Sequence, residues 1–244
     1  MASGGLRERR PREFVVRGEA VPVRVRESSR ARCMRILVGR ERQLEVIVPR
    51  YVPGRAVEEL LEERRAWIER HLAEARAVAR RAARLSVERS GCVWLAGEPV
   101  AVERRNGERS NAELRHGRLV VAGPDEDVAA AIGRWYRREA RRLIGESAQR
   151  EAERLSLRYR SIAIRDQRTR WGSCSRRGVL SFSWRLVLAP RGVLEYVVVH
   201  ELCHLREPNH SRGFWQLVDE ALPGWRVEAR WLREHGAALH AYGP

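Results

Sequence analysis

Two histidines four residues apart, His200 and His204, constrain this chain more than any other feature, with Glu201 beside the first and His210 beyond the second. The stretch reads H-E-L-C-H-x5-H. On an α-helix, residues i and i+4 lie about 40° apart around the axis, so both imidazoles face one side. Converging imidazoles are what a zinc ion takes as ligands. Glu201 lies one step further round. It can sit beside a metal without binding it and take a proton from metal-bound water. Pro208 and Asn209 should end the helix and turn the chain back, which makes His210 the natural third ligand. Before the motif, Leu194, Tyr196, Val197, Val198 and Val199 form an apolar run. It suits a buried helix entering the site from the core, and a short strand would read similarly.

The rest of the chain reads as α+β. Residues 1–13, with Gly4-Gly5 and scattered Arg, are expected as a mobile tail. Val21, Val23 and Val25 alternate with polar neighbours, and the runs 34–38 and 44–48 flank a hairpin loop. Apolar residues at helical spacing predict one long helix over 55–85, with His71 packed near its stripe. Strands follow at 93–95, 100–104, 112–115 and 119–122, with His116 in a turn. Pro124 opens a helix to about residue 155 that carries Trp135 and Tyr136 into the core. A strand at 161–165, a turn at Arg177-Gly178 and a strand at 179–184 lead to Pro190, a favourable first residue for the metal helix. Ser211 caps a further helix to Leu222, and a last one covers 227–235. No internal repeat is visible. The expected division is a strand-rich region at 14–123 and a catalytic region at 124–244, with the boundary near Gly123.

The segments Arg170-Trp171-Gly172-Ser173-Cys174-Ser175, Tyr196 to Leu205, Asn209-His210-Ser211 and Phe214-Trp215 resemble the bacterial YgjP-like metal-dependent hydrolases. These are zincin-like metallopeptidases, more distantly related to the SprT and WLM families. The likeness is dense from about Ile162 to Trp215. It implies a minimal zincin-like catalytic domain with the H-E-x-x-H helix packed on a small sheet. It further implies a Zn²⁺ site of His200, His204 and His210 with Glu201 as catalytic base, and Trp171 to Ser175 beside the metal. It leaves the substrate open.

In such a site, metal-bound water activated by Glu201 would attack an amide carbonyl. A second donor is needed for the developing oxyanion, and Arg168, Arg170 and Tyr196 are candidates that sequence does not rank. Trp171 is a possible substrate contact. Glu207 and Asp219 could orient the histidine rings. Cys203, inside the motif, reads as a small buried filler. Two rival readings stay open. One is a hydrolase of a phosphoanhydride (a nucleotide) or another non-peptide bond. The other is a nucleic-acid-associated SprT-like protease or binding module, though a mere module has no need of Glu201.

Charge bears on partners. All 48 basic residues are Arg, and the net charge is +16. Residues 1–56 hold 14 Arg and 6 acids, and residues 137–189 hold 14 Arg and 5 acids. The segment that carries the histidines is close to neutral. Two basic segments predict weak nucleic-acid binding beside a peptide, protein or small phosphorylated substrate. Arg in place of Lys can also follow from a GC-rich genome. The four cysteines form no C-x-x-C pair, so a zinc ribbon and a thioredoxin-like motif are excluded. No signal peptide and no apolar run of membrane-spanning length is visible. A cytoplasmic protein without membrane contact is expected.

Overall fold

The computed structural model describes residues 12–39, 43–86, 90–167 and 169–243. The chain divides into two compact units, Met1–Arg80 and Arg81–Pro244. Gly123, where the sequence suggests a boundary, lies inside the second unit. The architecture is mixed α+β. Among the described residues no helix is long and apolar enough to cross a membrane.

The first unit is a sheet of β1 (Arg12–Val16), β2 (Glu19–Glu27), β3 (Arg35–Val38) and β4 (Leu44–Val48), in the order β1-β2-β4-β3. Strand β1 begins inside the stretch expected as a tail; the rest of that stretch lies outside the described residues. Alternation works as the sequence suggests: Val21, Val23 and Val25 are buried while the residues between them are not. The expected single helix is two, α1 (Gly54–Glu63) and α2 (Arg65–Arg84), separated at Arg64, whose φ −97° and ψ 12° leave the helical basin. Nothing local marks the break, since neither Gly nor Pro is present. The seven-residue step from Leu61 to Ile68 keeps the buried stripe (Val57, Leu61, Ile68, Leu72) on one face in either case. His71 stacks on Trp67, and its Nδ1 lies 2.9 Å from the Trp67 carbonyl, a packed residue as expected.

The second unit opens with β5 (Cys92–Leu95), β6 (Glu98–Arg105), β7 (Asn111–Arg115) and β8 (Arg118–Ala122), in the order β5-β6-β8-β7. This is the topology of the first sheet repeated. Each has an antiparallel hairpin, a parallel pairing of its second and fourth strands and an antiparallel return of the third. The registers agree as well. Phe14 pairs Val21 as Val93 pairs Val100, and Val23 pairs Leu44 as Val102 pairs Leu119. Both first hairpins turn through two residues of positive φ, Arg17-Gly18 and Ala96-Gly97, the geometry that matches strand twist. The sequence hides this repeat because apolar types interchange freely at equivalent buried positions.

The long α3 (Val128–Arg154) follows and buries Ile132, Trp135, Tyr136, Ala140 and Ile144, so both aromatics are core. The Tyr136 hydroxyl donates to the Trp94 carbonyl and accepts from the Trp94 amide, each at 3.0 Å. A small sheet of β9 (Ser161–Arg165), β10 (Gly172–Cys174) and β11 (Val179–Ser183) has the order β10-β11-β9, which leaves β10 at an edge. A 3-10 turn over Trp184–Leu188 then enters α4 (Arg191–Cys203), followed by α5 (Arg212–Ala221) and α6 (Arg226–Ala241). The Ala96 and Gly97 amides of the β5–β6 turn bond the Val187 and Leu188 carbonyls, so the repeated module holds the entrance to α4. Helix α4 packs between α3 and strand β10.

Candidate metal centre

The run Val197-Val198-Val199 is β-branched, yet it is helical in α4. Intrinsic preference against helix is worth at most ~0.7 kcal/mol per residue. Burial of one such side chain is worth about 1.5–3 kcal/mol. Val198, Val199 and Leu202 are fully buried, so tertiary packing decides. Pro190 occupies the N-cap position with extended backbone (φ −52°, ψ 151°). The helix ends at Cys203, earlier than Pro208 requires. His204 is the C-cap and stays in the right-handed helical region (φ −65°, ψ −13°), which preserves the i, i+4 relation to His200. The chain then turns through Glu207 and Pro208, and Ser211 caps α5 by accepting from the Phe214 amide at 3.3 Å.

This path brings His210 back to the helix. One ring nitrogen of each of His200, His204 and His210 lies within 4.8 Å of the others. Nε2 of His200 and Nε2 of His210 are 3.0 Å apart. His204 turns its Nδ1 to the Glu207 carbonyl at 2.9 Å, which leaves Nε2 for the shared point. Burial first, then the two neighbouring imidazoles, push the His200 pKa down to about 3. Burial and His204 also lower that of His210. The chemistry of this donor set fits a metal ion: three imidazoles bring one ring nitrogen each into one small region, and a cation there would be shared by all three.

Glu201 is 6% exposed and lies outside the convergent ligand atoms, although it lines the same cleft. Burial pushes its carboxyl pKa up to about 7, and the Arg170 charge pulls the other way. The cleft encloses about 400 Å³, and Arg170, Trp171, Tyr196 and Leu232 also line it. A Cβ built on Gly172 would stand 2.5 Å from Glu201 Oε1, so the β10 backbone runs directly over the carboxylate.

The expected residues therefore gather, with differences. Arg168 lies outside the described residues. Tyr196 is in the cleft wall, its ring stacked on Trp225 and edge-on to His200. Trp171 is fixed from behind by stacking on His240 at 3.9 Å. For Glu207 it is the backbone carbonyl that meets His204, because its position just past the helix end points that group at the ring. Asp219 orients no histidine. Its carboxylate is taken by Trp225 Nε1 at 2.7 Å and by Arg226. Cys203 is a buried filler, with its thiol pKa raised to about 11 by burial.

Sequence reasoning missed the aromatic wall. Trp215 stacks on His210 (5.6 Å, 27°), Trp225 on Trp215 (4.8 Å, 13°) and Tyr196 on Trp225 (5.6 Å, 8°). A continuous stack thus runs from the loop histidine back to the helix that carries the other two. The only signal was tryptophan itself, frequent in the last forty residues. Cys174 also faces the cleft, and burial and then the Glu201 charge raise its thiol pKa.

A family model described as "YgjP-like, metallopeptidase domain" matches residues 32–235. No curated protein matches the chain. Among solved structures, the metallopeptidase zymogen of Pyrococcus abyssi, abylysin, is 19% identical. That match covers 37% of this chain and 93% of the other, at a TM-score of 0.34, a likeness too slight to bear on the chemistry.

Proposed function

This chain belongs to the YgjP-like metallopeptidase family, and from that premise we propose that it is a zinc-dependent hydrolase that cleaves an amide bond with Glu201 as general base. His200, His204 and His210 hold the zinc. When bound, the ion supplies Lewis acidity and lowers the pKa of water towards neutrality. Glu201 accepts the proton of the attacking water and returns it to the departing nitrogen. Arg170, exposed at the cleft and close enough to act on Glu201, offers positive charge to the developing oxyanion. Tyr196, which also lines the cleft, offers a neutral hydroxyl. Edge strand β10 carries open backbone groups along the cleft, suited to an extended peptide.

The observation that carries this reading is the separation of roles. Three imidazoles converge, and a buried carboxylate from the same helix shares the cleft without joining them. A binding site alone has no use for that carboxylate. The test is to incubate the zinc-loaded protein with a peptide library and, separately, with nucleoside triphosphates, reading products by mass spectrometry. Cleaved peptides that vanish with Glu201→Gln support the proposal. Release of phosphate or pyrophosphate without peptide cleavage overturns it in favour of phosphoanhydride hydrolysis.

A further inference from the structure

We propose that one end of the first sheet binds single-stranded nucleic acid, with Tyr51 as a stacking platform and Arg30, Arg32 and Arg50 on the phosphates. Strands β2 and β4 are parallel, so their carboxyl ends emerge side by side. The Ser28 amide bonds the Val48 carbonyl at 2.9 Å just beyond the last paired residues. From this point the segment after β2 exposes Arg30 and Arg32, and the segment after β4 exposes Arg50 and Tyr51.

Tyr51 is the unusual member. It is 92% exposed, and its φ is 67°. A left-handed backbone at a bulky non-glycine residue costs about 1–2 kcal/mol. Its ring joins neither hydrophobic core cluster. Strain at a side chain that gives the fold nothing is a pointer to binding. Of the acids that follow in α1, Glu59 is held by Arg55 at 2.9 Å. No ion pair is found for Arg30, Arg32 or Arg50 among the described residues.

The second sheet is an internal control. By register, Pro49 corresponds to Pro124, so Arg50-Tyr51-Val52 corresponds to Asp125-Glu126-Asp127. Arg104 there is already paired to Asp125 at 2.7 Å. The segment after β8 thus carries three acids and no aromatic where the segment after β4 carries Arg50 and Tyr51. A genome-wide preference for Arg cannot account for a difference between two copies within one chain.

The ligand follows from the pairing of groups. Guanidinium groups take phosphate oxygens, and an open aromatic face takes a flat ring. A single strand offers both together. A duplex keeps its bases inside and would meet the arginines alone. An acidic protein would gain little from the ring.

The experiment is fluorescence anisotropy of the full chain with fluorescein-labelled dT20, at several salt concentrations. Binding should weaken linearly in log–log form as salt rises. Tyr51→Ala should weaken binding by about 5- to 150-fold, the span for losing one stacked base. Tyr51→Phe should bind as wild type, and so should Glu126→Ala in the second sheet. Arg50→Gln should flatten the salt dependence. The proposal is overturned if dT20 does not bind at low salt, or if Tyr51→Ala binds it like wild type. It is equally overturned if poly-glutamate or a duplex competes as well as unlabelled dT20, since charge alone would then be the attraction. None of these readings involves the metal or hydrolysis.

Discussion

Gly172 and Glu201 occupy each other's space: a methyl group on the first would lie 2.5 Å from Oε1 and 2.6 Å from Cγ of the second. Strand β10 and helix α4 can approach this closely only because residue 172 has no side chain. We expect Gly172→Ala to displace the carboxylate and leave the histidines where they are. Turnover should fall at least tenfold, with stability lowered by about 1–3 kcal/mol, the usual cost of overpacking. Zinc content should stay at one per chain. Elemental analysis beside a peptidase assay reads both, and unchanged turnover would remove Gly172 from the site.

Glu201→Gln should separate base from ligand. The amide keeps the shape of the side chain but accepts no proton at neutral pH. Zinc should remain, and turnover should drop by roughly 10²–10⁴, the contribution of a positioned acid–base group. His210→Ala should lose metal and activity together, because three protein ligands make a catalytic zinc site. If Glu201→Gln shed its zinc, the carboxylate would be a ligand and the base would lie elsewhere.

Trp215 holds the one ligand that comes from a loop. With Trp215→Leu the His210 ring loses its stacking partner, and the stack to Trp225 and Tyr196 is cut. Zinc affinity should fall by about 10–100-fold, the range for losing a group that orients a metal ligand. Competition with a chromophoric chelator measures it. Wild-type affinity would mean that the Asn209–Ser211 turn alone sets the ring.

Tyr136→Phe tests the core far from the chemistry. The hydroxyl bonds both the amide and the carbonyl of Trp94 and meets the Tyr242 hydroxyl at 3.4 Å. Its removal strands buried polar groups, at a cost of about 1–3 kcal/mol. Urea unfolding should show a lower midpoint at unchanged slope. A shift too small to resolve would mean that water or another donor takes over.

The sequence made the gathering of His200, His204 and His210 legible because its defining relation is local. Four residues along a helix fix the relative direction of His200 and His204, and a proline after the helix predicts a return. What escaped was everything set by distant approach. The reason for Gly172 lies at Glu201, on another element. The stack from His210 to Tyr196 joins a loop, two helices and the N-cap of a third, and no periodicity announces it. The role of Asp219 could not be guessed before Trp225 was known to stand beside it. The break at Arg64 is silent because both halves keep one apolar stripe. The doubled sheet was hidden by the same tolerance that makes it stable, since a buried position asks only for an apolar group of suitable size.

The two copies of that sheet now live under different constraints. At Gly97 the hairpin turn is pressed against Pro190, with a Cβ there 3.1 Å from the proline, whereas a Cβ on Gly18 would meet nothing within 4 Å. One copy has become masonry for the helix that carries His200, and any residue added to its turn would press on the start of that helix. In the other copy the turn at Gly18 is open, so its length and charge can vary without a clash at that point. A chain built in this way can acquire new surface chemistry in its first copy while the second stays fixed. Insertions tolerated at Gly18 and rejected at Gly97 would be the mark of that division of labour.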